Sequence, residues 1–373
     1  MSWGAPPAGR PWRALFVDDE AEVLSALAAR SRKHRRDWSI TTAVGGPAGL
    51  SALAGPEPYD LVVTDLSMPR VSGVEVLAEA RKVQPRAVRF VLSGRSDQKM
   101  ASQASLAHQI FGKPSELEEI LRRASLALAV GARLQSGEVE RVTSGEGIPK
   151  SPKVFAALHT ALRSESYEPR MAARIVEQDI NLTGRVLRIA SASPLGPRRS
   201  VTSVRAALVA LGRDAVEQLV LLEETLSASG PGATSEMRDH ALAVARIGMR
   251  LEPGLDGVFT AGVLHDVGRL LQAEPDAPGG RHPELGAYLA ALWGFPPPVV
   301  EAVMFHHDPP PNPPLLAGTL WAAERIAEAG RRGLDGAESL VGAEAAARWH
   351  EAALSLAGSE PQSVARPRQG ATA

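Results

Sequence analysis

RALFVDDEAEVLSALAARSRKHRR, residues 13–36, is the stretch whose reading decides the fold. RALFV (13–17) reads as a strand and runs straight into three acids, Asp18, Asp19 and Glu20. EAEVLSALAARSRKHRR (20–36) then places its apolar residues at helical spacing. A short apolar strand that ends in carboxylates and turns directly into a helix is the opening of a βαβ unit.

Working outward, the same alternation recurs. WSITTA (38–43), LVVT (61–64), VRFVL (88–92) and HQIF (108–111) are four more strand candidates. Helical segments near 46–54, 72–83, 97–106 and 115–130 separate and follow them. Five strands alternating with helices predict an α/β doubly wound parallel sheet over residues 13–128. Residues 1–12 are rich in Gly and Pro and are expected to be disordered, as is the polar tail 356–373. After about residue 130 the strand-like runs stop. Residues 129–145 read as a helical extension and linker, and 146–355 as an all-α domain of ten or more helices. Pro152, Pro169, Pro194, Pro253, Pro283, Pro296 and Pro309 fall where helices start or stop.

Composition narrows the function classes. The chain has 373 residues, 44% hydrophobic, enough for two or three domains that each bury a core. There is no cysteine, so disulfides, thiolate nucleophiles and cysteine–zinc sites are excluded. The formal net charge is −1, and neither half carries the basic excess that phosphate backbones favour, so nucleic acid is not an expected partner. No run reaches the length of a membrane span and the N-terminus lacks a signal peptide's apolar core, so a cytoplasmic location without membrane contact is expected. SRKHRR (31–36) closes the first helix, where cations suit the helix dipole, and reads as a solvated face. Trp293, Trp321 and Trp349 read as core anchors.

A parallel sheet lines up the carboxyl ends of its strands along one edge, where ligands bind. Asp18, Asp19 and Glu20 follow the first strand, Asp65 the third, Ser93 the fourth and Lys113 the fifth. Such a cluster suits Mg²⁺, a hard cation with oxygen ligands that keeps waters for a phosphate. Asp65 can act as nucleophile toward a phosphoryl group, with the metal and Lys113 balancing charge on its oxygens. Ser93 can hydrogen-bond the product.

VDDE (17–20), TDLSMPRVSG (64–73), VLSG (91–94) and FGKP (111–114), in that order, resemble the receiver domain of two-component response regulators. The resemblance implies that Asp65 accepts the phosphoryl group from a sensor histidine kinase. It implies that Asp18, Asp19 and Asp65, with the Ser67 backbone carbonyl, hold Mg²⁺, that Ser93 and Lys113 form the switch pair, and that the Lys113–Pro114 peptide is cis. The family places Tyr or Phe three residues before the lysine; here that position is Ile110, with Phe111 after it. Nothing in the sequence fixes the oligomeric state, and a homodimer stays open.

The helical half concentrates histidines: His240, the pair His265-Asp266 in AGVLHDVGRLL (261–271), His282, and the pair His306-His307. Each sits on or at the end of an expected helix, as ligands do in a metal centre built inside a bundle. Imidazole with carboxylate suits Zn, Fe or Mn. The alternative is a set of buried histidines satisfied by helix-end carbonyls and carboxylates. IVEQDINLTGRVLRIASAS (175–193), VTSVRAALVALGRDAVEQLVL (201–221) and GIPKSP (147–152) resemble the HDOD variant of the HD superfamily of metal-dependent phosphohydrolases, with a departure at Ser191-Ala192. By that resemblance His240, His265 and Asp266 are metal ligands. A last Asp is expected from the helix LWAAERIAEAG, where Glu324 stands instead, with a methylene that would displace its carboxylate. Arg269 replaces a lysine, and DPPP follows His306-His307 where cyclic-di-GMP phosphodiesterases carry a GYP motif. Two readings of the output domain stand: a non-catalytic module that binds a protein or small-ligand partner, or a receiver-gated metal-dependent phosphohydrolase.

Overall fold

The computed structural model describes residues 10–31, 36–93, 106–113, 115–144, 157–158, 161–162, 168–177, 203–213, 216–217, 220, 234–271, 280–329, 334 and 337–357. The stretch from β1 (Trp12–Asp18) to α4 (Leu117–Gly131) forms the α/β unit. Between them run α1 (Ala21–Ser31), β2 (Trp38–Val44), α2 (Gly46–Leu53), β3 (Leu61–Asp65), α3 (Gly73–Val83), β4 (Val88–Ser93) and β5 (Gln109–Gly112). All five strands are parallel, in the order β2-β1-β3-β4-β5. The order reverses beside β1, so its carboxyl end and that of β3 open onto the crevice where such sheets bind ligands.

The sheet is buried on both faces, and strand alternation sorts the side chains. Ala14, Phe16, Leu61, Val63, Phe90 and Leu92 point to one face and pack with Leu24 of α1 and Ile120, Leu121 and Ala124 of α4. Leu15, Val17, Val62 and Val91 point to the other, against Leu53 of α2 and Val76, Leu77 and Ala80 of α3. The helix α3 starts on a capping box: Ser72 accepts from the Glu75 amide while Glu75 accepts from the Ser72 amide. The expected helix over 97–106 falls almost wholly outside the described residues, as do Pro114, residues 32–35 of SRKHRR, both chain ends, GIPKSP and Ser191-Ala192.

The expected extension after α4 is a separate helix, α5 (Ser136–Ser144). Beyond it the described elements are helical: α6 (Pro169–Glu177), α7 (Val204–Leu211), α8 (Thr234–Leu251), α9 (Val258–Leu264) and a 3₁₀ turn (Val267–Leu271). Then come α10 (His282–Leu292), α11 (Pro297–Met304), α12 (Leu315–Ala329), α13 (Ala337–Val341) and α14 (Ala343–Ala357). Pro169, Pro283 and Pro296 do sit at helix starts. Trp349 is fully buried and donates to Glu252 at 2.9 Å, Trp321 is buried, and Trp293 packs partly buried at the end of α10. One continuous apolar cluster runs from the α1/α4 face of the sheet through Leu126, Leu128 and Val130 into Leu285, Tyr288 and Leu289 of α10.

Candidate functional site

Two groups of ionisable side chains stand out. The first lies at the strand ends. Asp18 closes β1 and Asp65 closes β3; with Asp19 they bring three carboxylate oxygens within 4.8 Å of one another. Asp18 and Asp65 are buried and Asp19 is exposed, so the cluster faces outward from a closed floor. Lys113 Nζ, just past β5, lies 2.8 Å from Asp18 Oδ2 and 3.1 Å from Asp65 Oδ1. Burial pushes the Asp65 carboxyl above its ordinary pKa; Lys113 opposes this and Asp18 adds to it. Asp65 Oδ1 is buried, with Lys113 Nζ as its close polar neighbour. Three clustered carboxylates against one ammonium leave an excess of negative charge that suits a hard divalent cation. The loop after Asp65 carries Ser67 and turns at Arg70 with φ 71°, a conformation uncommon outside glycine. Gly73 lets α3 begin directly against that loop: a Cβ there would lie 2.0 Å from the Asp65 carbonyl oxygen.

Ser93 is the last residue of β4, paired in register with Gly112 of β5; its side chain lies outside the described residues. Ile110 packs half-buried on the α2/α3 face. Phe111, its neighbour, points the opposite way, 5.2 Å from the Phe90 ring. The aromatic at 111 is therefore a core residue of the other face, and Ile110 alone occupies the position at which the family carries its aromatic.

The second group lies within the helical part. His240 comes from α8, His265 and Asp266 from the turn after α9, His282 from the first residue of α10, His306 and His307 from the bend just after α11, and Glu324 from α12. They form two ligand sets that share one carboxylate. His240, His265 and Asp266 are one; Asp266, His282, His306 and His307 are the other. Glu324 joins the first set, 3.1 Å from His240 Nε2 and 3.0 Å from His265 Nε2. Its extra methylene does not carry the carboxylate out of the group. Asp266 Oδ1 lies 3.2 Å from His282 Nε2 and 3.7 Å from His306 Nε2, and His282 and His307 face each other Nε2 to Nε2 at 3.1 Å. Gly268 permits this: a Cβ there would sit 1.9 Å from the His282 carbonyl oxygen, so any larger residue would push α10 away from Asp266.

The tautomers are set from behind. His265 Nδ1 donates to the Gly262 carbonyl at 2.8 Å and His306 Nδ1 to the Val303 carbonyl at 2.6 Å, which turns both Nε2 atoms into the centre. Those two Nε2 atoms and Asp266 Oδ1 are buried and face the group itself, His265 Nε2 with Glu324 at 3.0 Å and Asp266 Oδ1 with His282 at 3.2 Å. Two buried carboxylates and several imidazole nitrogens turned on one another are a donor set that fits a metal centre. Asp266 and Glu324 are almost fully buried carboxylates. Burial raises both, yet the surrounding imidazoles, His265 first, hold them well below the carboxylate range. Burial depresses His265, but Glu324 and Asp266 outweigh it and lift its pKa to about 9. Burial and the neighbouring imidazoles push His307 down to about 4. Arg269 Nε reaches Asp266 Oδ2 at 2.9 Å.

The response regulator receiver family model matches residues 14–125, the HDOD family model 148–277 and the HD family model 237–347. The chain joins a receiver domain to an HDOD domain. The HDOD match contains His240, His265 and Asp266, whereas the overlapping HD match contains every member of the second group. The chain is similar to the transcriptional regulatory protein KdpE of Mycobacterium tuberculosis, 35% identical over 129 residues that make up 34% of this chain and 54% of that protein. It is similar to PrrA of the same organism, 30% identical over 135 residues, 36% of this chain and 57% of that protein. The chain thus spans about half the length of the curated relatives it matches. Among solved structures it resembles a receiver domain protein from Clostridium thermocellum, at 24% identity, TM-score 0.28, covering 33% of this chain and 96% of that one. It also resembles a candidate phosphohydrolase from Shewanella amazonensis SB2B, at 24% identity, TM-score 0.47, covering 60% and 95%. Among the described residues no helix is long and apolar enough to cross a membrane.

The receiver cluster, the joining of His265 to Asp266 and the nearby His240 are all legible as motifs. The sharing of Asp266 between two ligand sets is not, although the histidines at 282, 306 and 307 are its signal. Equally silent in the sequence are Gln109, Arg89 and Arg281, side chains that tie the receiver to the helical part.

Proposed function

We propose that this protein is a phosphorylation-controlled response regulator whose HDOD part holds a metal centre. A sensor histidine kinase supplies the phosphoryl group. Asp65 accepts it, with Mg²⁺ held by Asp18, Asp19 and Asp65 and by the Ser67 carbonyl, and Ser93 and Lys113 act on the product. The observation that carries this is Lys113 Nζ lying within 3.1 Å of both Asp18 and Asp65 at one sheet edge. An Asp65 carboxylate oxygen would bond to phosphorus as the P–N bond to the kinase histidine breaks; Mg²⁺ held by Asp18, Asp19 and Asp65 would supply charge neutralisation, and Lys113 is placed to pair with the charge on the phosphoryl oxygens. Incubation with a small phosphodonor and Mg²⁺, read by phosphate-affinity electrophoresis, tests it. The wild type gains a retarded band and Asp65→Ala does not; labelling that survives in Asp65→Ala sinks the proposal.

For the output domain, the two ligand sets around Asp266 favour a metal-dependent phosphohydrolase over a module that only binds a partner. A metal there, of the Zn, Fe or Mn class, would supply Lewis acidity and an activated water. The chain's own side chains do the rest: Asp266 spans both sets, Glu324 adds the second carboxylate, and Arg269 stands where it can pair with a substrate phosphate. Metal content by elemental analysis and hydrolysis of bis-p-nitrophenyl phosphate test this together. One or two equivalents and turnover, both lost in His265→Ala, support the hydrolase. Bound metal without turnover on any phosphoester leaves partner binding as the output.

A further inference from the structure

The receiver touches the metal centre's surroundings at particular places. At the end of α4, Gly131 packs on Tyr288 of α10 so closely that a Cβ would lie 2.9 Å from the ring. Two residues on, the Arg133 carbonyl accepts a hydrogen bond from the Arg281 guanidinium, and the Arg133 guanidinium lies over the Phe305 ring, 5.9 Å from its centre. Arg281 also pairs with Glu138 of α5 at 3.2 Å. Arg281 immediately precedes His282, and Phe305 immediately precedes His306-His307. At the other end of α10, the Gln109 amide donates to the Ala291 carbonyl at 3.1 Å. Gln109 opens β5, the four-residue strand that Lys113 follows.

All these contacts converge on the set Asp266, His282, His306 and His307. His240 and Glu324 of the other set are on α8 and α12, which pack on each other. The path from the phosphoacceptor is short and made of stiff parts. Lys113 pairs with Asp65, β5 runs about 13 Å from Lys113 to Gln109, Gln109 holds one end of α10, Gly131 packs on Tyr288 along its length, and Arg281 holds the other end. A helix gripped at both ends moves as a unit, and its first residue is a ligand.

We propose that the receiver controls the two metal positions unequally: it sets the His282–His306–His307 position and leaves the His240–His265–Glu324 position alone. This rests on the reading of the centre as metal-binding. Phosphorylation then acts on affinity at one position, which turns the output on or off without rebuilding the domain. Proximity alone is not coupling, so the claim is a thermodynamic one.

The test is a Mn²⁺ titration of the full-length, metal-stripped protein in excess Mg²⁺, which keeps the receiver site filled, with and without beryllofluoride. The expected result is two Mn²⁺ equivalents, of which beryllofluoride moves one by tenfold or more and the other by less than about twofold. The responsive equivalent disappears in His307→Ala and survives in His240→Ala. Arg281→Ala weakens that equivalent and makes it insensitive to beryllofluoride, and Gln109→Ala blunts the response. Two equivalents that shift together, or that both ignore beryllofluoride, overturn the coupling and leave the metal reading standing. A protein that binds no Mn²⁺ beyond what His265→Ala binds removes the metal reading and this proposal with it.

Discussion

Glu324 shows what a single side chain decides. The expected residue at its place is an aspartate, and a longer carboxylate would ordinarily overshoot. Here both oxygens stay within reach of His240, and one is 3.0 Å from His265. Shortening the side chain would retract the carboxylate by about 1.5 Å. Glu324→Asp is therefore expected to weaken Mn²⁺ binding at the first position, and Glu324→Gln, which keeps the length and removes the charge, by roughly 10- to 100-fold. The second position should hold its affinity in both. Calorimetric titration separates the two; an unchanged first equivalent in Glu324→Gln would mean that Glu324 is no ligand. The sequence named every side chain of both clusters because chemistry-bearing residues are rare enough to notice one at a time. It could not show that Glu324 fits, since a helix's axial position and rotation decide that, and neither is written in the local pattern.

Elements, rather than residues, fix where the strand-end cluster can form. Five strands and most of their helices were legible because buried parallel strands and amphipathic helices have different periods. The α4–α5 break was not, because Ala132-Arg133-Leu134-Gln135 has no residue that forbids helix. The start of α3 packs tightly on the loop after β3, and Gly73→Ala would drive a Cβ into the Asp65 carbonyl. The expected cost is about 2 kcal/mol of stability, read by urea denaturation, with slower phosphorylation as the loop shifts. A second element-scale joint lies at the other end of the sheet. Arg89 of β4 is buried and donates to the carbonyls of Ala87, Leu106 and Thr143, the last at the end of α5. His108 accepts from the Arg89 amide through Nδ1 at 3.0 Å, so Nε2 carries the proton and faces Thr143. Burial, then Arg89, push His108 well below the ordinary imidazole value. A histidine held neutral in the fold gives stability that is complete above the unfolded pKa of about 6.5 and is lost as pH falls below it. The loss approaches about 1.4 kcal/mol per pH unit. Melting temperature between pH 7.5 and 5 should fall in the wild type more steeply than in His108→Asn, whose amide oxygen can still accept from Arg89.

At the scale of the whole molecule, the apolar cluster that runs from the sheet into α10 makes the two domains one thermodynamic body. Leu126, Leu128 and Val130 of α4 are buried in the same cluster as Leu285 and Leu289, so either domain unfolding alone would expose the other's apolar face. A ligand that binds only the folded receiver should therefore stabilise the helical domain as well. At a hundred times its dissociation constant such a ligand contributes about 2.7 kcal/mol. In scanning calorimetry the full chain should melt in one transition, and Mg²⁺ with beryllofluoride should move all of it. Gly131→Val forces a branched side chain against Tyr288, where even a Cβ has no room. It should split the melt into two transitions, with beryllofluoride moving only the receiver's. Two transitions in the wild type would mean that the buried seam carries no coupling, and a single one that survives in Gly131→Val would mean that the Gly131–Tyr288 contact is not what carries it. A phosphorylation signal would then need a route other than α10.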